Sequence, residues 1–344
     1  MGRRGRTYGR QRGLREDLRK ESQAPGVLRL EQDPGEDGMA MITEYELGEK
    51  EFRRISSMAY DIARLNLHEG KKLLVQNRLS KRLRALGLSG FREYLEYLEE
   101  NPEEVRTMVD CLTTNFTRLF REPEHFDFLR EEVIPWLESL PEKRIRLWSA
   151  GCSSGEEPYS IAIFLREHMQ DLETRDLLIL ATDISVRALS KAREGLFREE
   201  QLRDCPSQWR LKHFTRTRAG GETYYRVSPA VSRLIRFHYL NLADPWPMRG
   251  PFHVIFCRNV MIYFDRDTQQ ELVHRFHDYL VPGGYFFVGH SESLARIRNP
   301  FKYRKPSIYQ KTSAQGLAGG RETGLQAVIG TPRPGEGEES DDSG

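Results

Sequence analysis

The sequence predicts an α/β protein: a mostly parallel sheet covered by helices, led by a small all-helical domain and interrupted by one β-hairpin. Three observations carry this reading. After about residue 130, short apolar runs alternate with helical stretches of about 10–15 residues, the rhythm of strand–helix–strand units. Between 43 and 120, apolar residues recur at helical spacing, with no strand-like alternation among them. The segment FTRTRAGGETYYRV, from Phe214 to Val227, breaks the rhythm with two β-like runs about Gly220-Gly221 and reads as a hairpin. The expected organisation is a basic arm at 1–40, a helical domain at 41–120, an α/β domain at 121–313 with its insertion near 205–235, and an acidic tail at 314–344.

Composition bounds the class. A chain of 344 residues with 38% hydrophobic and 30% charged residues is long enough for two domains and has the balance of a soluble globular protein. Apolar runs such as Val254 to Cys257 are too short to span a bilayer, and the arginines at the start lack the apolar stretch of a secretory signal. Cys111, Cys152, Cys205 and Cys257 form no CxxC pair, which argues against a disulfide framework and a zinc site and fits a reducing cytoplasm. The net charge of +2 conceals segregation. Residues 1–20 hold eight Arg and Lys against two acids, and the segment after Pro334 holds five acids and no base. Both ends read as disordered and solvated, the alternative for the arm being contact with nucleic acid or anionic lipid. Met39 and Met41 are alternative starts.

In the helical region, a first helix follows Thr43 with Phe52, Ile55, Met58, Ala59 and Ile62 on its apolar face. A second carries Val75, Leu79, Leu83 and Leu86 and ends near Gly87, and a third passes through Phe91–Leu95 and stops before Asn101-Pro102. Strands are expected at 145–148, 177–181, 235–239, 253–257, 285–288 and 307–310.

The chemistry starts at RLWSAGCSSGEEPYSIA, residues 146–162. A strand, a turn of small residues and a helix is how a doubly wound sheet builds a ligand site at a strand's carboxyl end. Glu156 and Glu157 favour the helix dipole but would repel a pyrophosphate. A cationic ligand bearing hydroxyls suits them, and S-adenosylmethionine is one. Equally, both glutamates decorate a helix start, with Pro158 in its first turn. Asp183, after the apolar run LLILATD and 28 residues beyond Gly155, stands where a ribose presents its hydroxyls, the alternative being a simple helix N-cap. In FCRNVMIYF, Arg258 and Asn259 end an apolar strand where an active site belongs, or else form a buried structural pair.

TTNFTRLFREPEHF (113–126), RLWSAGCSSGEEPYSIA (146–162), ATDIS (181–185), HYLNL (238–242), IFCRNVMIYFD (255–265) and PGGYFFVGHSES (282–293) follow in the order found in CheR-type chemotaxis methyltransferases. Over about 45–312 the chain resembles these S-adenosylmethionine-dependent protein-glutamate O-methyltransferases. The resemblance implies a Rossmann-like class I methyltransferase sheet, a helical N-terminal domain and an inserted β-subdomain. It implies that Asn115, Thr117 and Arg121 contact the cofactor, although Arg118-Leu119 replaces the usual bulky residues before Phe-Arg. It further implies that Glu156 faces the methionine amine, Asp183 the ribose, Asn241 and Leu242 the adenine, and Arg258 and Asn259 the methionine portion. Arg121 and Tyr263 would flank the transfer site, Arg121 orienting the incoming carboxylate. No metal is implied, and His290 reads as structural, at the end of a strand.

On the second helix, Lys71, Arg78, Lys81 and Arg82 fall within roughly 100° of arc at 3.6 residues per turn, with no acid between Lys71 and Arg84. This is either a solvated face or, as the resemblance favours, a docking face for acidic receptor helices in the cytoplasm. The hairpin corresponds to the subdomain with which some members grip a receptor-tail peptide by strand addition. Its short turn points to a tail-independent enzyme, expected to be a monomer. Two other classes remain open: a non-catalytic S-adenosylmethionine-binding signalling module, and a nucleic-acid methyltransferase, for which the NPPY or PC motif is missing.

Overall fold

Apolar periodicity and turn chemistry account for most of the architecture. The computed structural model describes residues 45–312. The expected basic arm at 1–40 and acidic tail at 314–344 lie outside these residues, as do the alternative starts Met39 and Met41.

Four helices come first: α1 (Glu49–Ala63), α2 (Lys72–Leu86), α3 (Phe91–Glu100) and α4 (Glu104–Leu112). Phe52, Ile55 and Ala59 of α1 meet Val75, Leu79 and Leu83 of α2 in one core that also takes Tyr94, Leu98 and Met108. Ala63, not Ile62, continues the buried stripe of α1; Ile62 is 38% exposed. Gly87 ends α2 in the left-handed region at φ 70°, where a residue without Cβ is favoured. The sequence reading did not separate α4, which has no side-chain cap and follows α3 after only three residues.

From Thr113 the chain leaves the helical path and runs irregularly to Phe120. A broken helix follows: α5 (Pro123–Phe128), a π-helical turn (Leu129–Val133) and α6 (Ile134–Ser139). The α/β part then runs β1 (Arg144–Ala150), α7 (Glu156–His168), β2 (Asp176–Asp183), α8 (Val186–Glu194), β3 (Leu196–Phe197) and α9 (Ser207–His213). It continues with β4 (Phe214–Ala219), β5 (Glu222–Val227), α10 (Pro229–Ser232), β6 (Ile235–Tyr239), β7 (Phe252–Cys257), α11 (Arg266–Asp278), β8 (Leu280–Val288), β9 (Lys302–Lys305) and β10 (Ile308–Gln310).

Seven strands make the main sheet, in the order β6-β2-β1-β7-β8-β10-β9. β6, β2, β1, β7 and β8 pair in parallel, and β10 and β9 close the edge antiparallel. Each central strand is buried on both faces with a period of two. Ile145, Leu147, Val254, Phe256, Tyr285 and Phe287 pack on one side, where α7 lies. Trp148, Ala150, Ile255, Cys257, Phe286 and Val288 pack on the other, with Leu272, Val273 and Phe276 of α11. All six expected strands are present, β6 with the expected ends and the other five with shifted ones. β9 was not expected: KYRK carries three charges, a composition that suits an exposed sheet edge and hides the strand from apolar patterning.

The hairpin reading of Phe214–Val227 matches β4 and β5, which form a separate three-stranded sheet with the short β3. Gly220 and Gly221 both have positive φ, 58° and 85°, as a two-residue hairpin turn demands.

The helical core is fastened by one buried ion pair. Arg82 Nε and Nη2 donate to the two oxygens of Glu104 at 2.7 and 2.6 Å, and the Tyr94 hydroxyl donates to the same carboxylate at 3.1 Å. Glu104 is 5% exposed, so losing the guanidinium strands a buried charge. Arg82→Ala is expected to lower unfolding stability by about 3 kcal/mol, read as a lower urea midpoint at unchanged slope.

Candidate functional site

The strand order reverses between β1 and β7: the chain passes from β1 outward to β2 and β6, then returns to β7 and β8 on the other side. Such a switch point leaves a crevice beyond the carboxyl ends of the strands. A cavity of about 300 Å³ occupies it, lined by Gly151 after β1, Asp183 at the end of β2, Asn241 and Leu242 after β6, and Arg258 and Asn259 after β7. Asn115, Thr117 and Arg121 line it from the segment joining helical and α/β parts, and Tyr263 from the loop after β7. Ala63 and Leu65, at and just beyond the end of α1, complete an apolar wall with Ile184 and Leu240. Gly151 permits the tight turn after β1: it has φ 88°, and a Cβ there would come within 2.3 Å of Val260.

Nine of the ten residues singled out in the sequence therefore line one cavity; Glu156 does not. As the first residue of α7, Glu156 turns to Ser154 Oγ, at 2.8 and 3.0 Å, and to Gln201 Nε2 at 2.9 Å. Glu157 takes the other direction. Its carboxylate accepts from Ser149 Oγ at 2.6 Å and from Arg258 Nη1 at 3.2 Å. Two adjacent helical residues point about 100° apart, so only one of them could reach the end of β7.

Arg258 is 7% exposed and spends every arm of its guanidinium. Besides Glu157, Nε and Nη2 donate to Glu122 Oε2 at 3.2 and 3.1 Å, and Nη2 donates to the backbone carbonyl of Arg121. The turn it grips is strained: Phe120 and Glu122, on either side of Arg121, both have left-handed φ, 52° and 59°. Ser160 Oγ accepts from the Phe120 N–H at 2.9 Å and completes the hold. Arg121 itself is half-buried at the cavity wall, and its guanidinium makes no hydrogen bond among the described residues.

Asp183 accepts from the backbone N–H of Ser153 at 2.7 Å and of Ser185 at 2.8 Å, one on each oxygen, leaving a lone pair on each for a ligand. Asn241 is committed differently. Its Nδ2 donates to the carbonyl of Ile62 at 2.7 Å and its Oδ1 accepts from Ala243 N, so the amide ties the end of α1 to the loop after β6. Asn115 Nδ2 reaches Ser185 Oγ at 3.3 Å, and the Asn115 carbonyl accepts from Ser153 Oγ at 2.9 Å.

Sequence reasoning missed Glu292. Its buried carboxylate accepts backbone N–H groups from Asn259 at 2.6 Å, Gly289 at 2.7 Å and Ile262 at 3.2 Å. One side chain thus folds the loop that presents Asn259, Ile262 and Tyr263, with Asn259 held at φ 60°. Burial pushes the carboxyls of Glu156, Glu157, Asp183 and Glu292 above the ordinary carboxylate range, and their hydrogen bonds recover part of that shift.

The expected basic face of α2 is smaller than the sequence suggested. Arg78 donates to the Leu112 carbonyl at 2.6 Å and to Thr114 Oγ1 at 2.8 Å, and Arg82 is paired with Glu104. Lys71 donates to the Asn66 carbonyl at 3.1 Å and lies 5.9 Å from the Tyr263 ring centre, while Lys81 is exposed. A face read along one helix cannot show an acid supplied by another.

Residues 50–113 match the family model described as CheR methyltransferase, all-alpha domain, and residues 115–309 match CheR methyltransferase, SAM binding domain. The chain belongs to the CheR methyltransferase family. It is 44% identical to the probable chemotaxis protein methyltransferase of Rhizobium etli over 69% of this chain and 90% of that one. The chemotaxis protein methyltransferases of Escherichia coli and Borreliella burgdorferi are 39% and 38% identical, over 79% and 76% of this chain and 94% of each relative. The cavity accordingly lies in an S-adenosylmethionine-binding methyltransferase domain of the chemotaxis type.

In this family member Glu292 organises one cavity wall through acceptor oxygens alone. Glu292→Gln replaces one acceptor with a donor that faces backbone N–H groups. It is expected to weaken binding of S-adenosylhomocysteine about tenfold, measured by titration calorimetry.

Proposed function

We propose that this chain is a cytoplasmic protein-glutamate O-methyltransferase that esterifies glutamate side chains on the helices of methyl-accepting chemotaxis receptors. Its family and its chemotaxis relatives support the reaction class, and among the described residues no helix is long and apolar enough to cross a membrane. The observation that carries the substrate reading is Arg121. A guanidinium with no hydrogen bond among the described residues, presented on a strained turn at the cavity wall, suits an incoming carboxylate, which it can engage with two parallel hydrogen bonds.

The remaining roles follow from what each side chain has left to offer. Asp183 retains lone pairs for the ribose hydroxyls. Leu242, Leu240 and Leu65 give the adenine an apolar slot, with Asn241 fixing the loop that carries Leu242. Asn115, Thr117 and Asn259 offer polar groups to the methionine portion. Glu156 and Glu157, buried beside the turn after β1, contribute negative potential toward its ammonium group, Glu156 without lining the cavity. Bound S-adenosylmethionine supplies a sulfonium-activated methyl group, which an ionised carboxylate accepts without a general base. The protein's work is positioning and exclusion of water. Arg121 fixes the carboxylate, Arg258 and Glu122 fix Arg121, and Tyr263 shapes the approach. The exposed Lys81, with Lys71 beside Tyr263, supplies the positive edge toward acidic receptor helices. The tight Gly220-Gly221 turn favours action without a receptor-tail peptide.

Tritiated S-adenosylmethionine incubated with this protein and receptor-bearing membranes is expected to yield base-labile, volatile methanol. Cofactor binding with no ester on any receptor glutamate refutes the assignment. In the same assay Arg121→Ala is expected to lower kcat/KM for receptor by about ten- to a hundredfold; near-native turnover removes Arg121 from the mechanism.

The buried acids add a pH dependence. In the free protein the raised pKa values of Asp183 and Glu156 favour the fold when these groups are protonated, a contribution lost as pH rises through the raised values. A cationic guest favours the ionised forms, so binding expels those protons. Calorimetric affinity for S-adenosylmethionine is expected to fall as pH is lowered from neutral through the raised values, with proton release visible in buffers of different ionisation enthalpy.

A further inference from the structure

Outside the cavity, where α5 begins and β8 has just ended, three side chains with metal-binding atoms converge. Glu122, His125 and His290 each offer one ligand atom, all within 4.8 Å of one another. His125 is 1% exposed, yet among the described residues neither of its ring nitrogens has a hydrogen-bond partner. A buried neutral imidazole ordinarily donates from one nitrogen and accepts at the other, and an orphaned pair calls for an explanation such as an ion. His125 Nδ1 lies 3.4 Å from Glu122 Oε2. Two ligands each about 2.0–2.1 Å from a tetrahedral ion stand about this far apart. The His290 ring meets the His125 ring edge to face at 5.3 Å and is half exposed, which opens a path from solvent.

We propose that Glu122, His125 and His290 form a site for a divalent cation of the zinc class, with solvent completing the coordination. Imidazole nitrogens with one carboxylate suit zinc, nickel or cobalt, whereas magnesium and calcium want oxygen throughout. The cysteine spacing that argues against a zinc site has no bearing on this donor set. Charge permits it: Glu122, Glu157 and Glu124, whose Oε2 lies 3.9 Å from His290 Nε2, outnumber the Arg258 guanidinium that contacts the first two.

Occupancy has a consequence for catalysis. Glu122 is the carboxylate that Arg258 grips while holding the Arg121 carbonyl. A cation drawing on Glu122 competes with Arg258 and loosens the turn that presents Arg121. The site is inhibitory: methyl transfer falls as the cation binds. The binding part does not depend on which carboxylate accepts the methyl group.

The test uses the full chain. Zn²⁺ alone is titrated by calorimetry, Co²⁺ is followed by its visible absorption, and methyl transfer is measured at each Zn²⁺ concentration. Expected are one equivalent bound, tetrahedral cobalt bands without thiolate charge transfer, and activity falling in step with occupancy. His290→Ala keeps the backbone N–H that reaches Glu122 and is expected to retain metal-free activity. It should lose at least about tenfold in Zn²⁺ affinity, since removing a ligand costs no less than disturbing the groups around one. Unchanged affinity in His290→Ala, a thiolate band, or no stoichiometric binding overturns the site; binding without loss of activity overturns its inhibitory role.

Discussion

The site depends on one buried guanidinium. Arg258 ends β7 and reaches Glu157 on α7, Glu122 at the start of α5 and the carbonyl of Arg121. Two pieces of chain distant from β7 in sequence are thereby fixed to one planar group, whose donors have set directions. Removing either carboxylate would leave this charge poorly compensated in a desolvated place, where a lost partner costs far more than a surface pair is worth. The left-handed backbone at Phe120 and Glu122 persists because this clamp over-determines it.

Glu292 works by a different principle on the opposite wall. Among the described residues its carboxylate accepts from backbone N–H groups, whose combined dipoles stabilise a buried anion. Together the two arrangements divide the work. A side-chain cation organises the turn before the first sheet strand, and a side-chain anion organises the loop after the fourth. The cavity between them is lined by groups whose own backbone is held from behind, which lowers the reorganisation left for the reaction itself.

The fold was largely legible because the strands announce themselves. Val254 to Cys257 and Tyr285 to Val288 are unbroken apolar runs, and Ile145 to Trp148 is broken only by Arg146, a pattern suited to a sheet covered on both faces. The cavity was legible for a related reason: Asp183, Asn241, Arg258 and Asn259 follow directly on such runs, and strand ends converge at a switch point. What stayed hidden depended on rotation or on distant partners. Glu156 and Glu157 are chemically identical neighbours, and only the helix phase decides which meets Arg258. Arg82 looked like a free charge because Glu104 lies on another helix, and Glu292 drew no notice because backbone N–H groups leave no trace in a sequence. A buried arginine ending a strand does demand acids, and Glu122, Glu157 and Glu292 all lay within the quoted motifs; composition alone could not assign them.

The amide of Asn241, which joins the end of α1 to the loop after β6, makes the helical region part of the binding wall rather than an appendage. Ala63 and Leu65 complete the cavity from that side, so whatever fills it touches both halves of the chain at once. Ligation is therefore linked to cohesion: the guest acts as a mortise pin between helices and sheet, and the two halves come to share one unfolding transition that moves upward with ligand concentration.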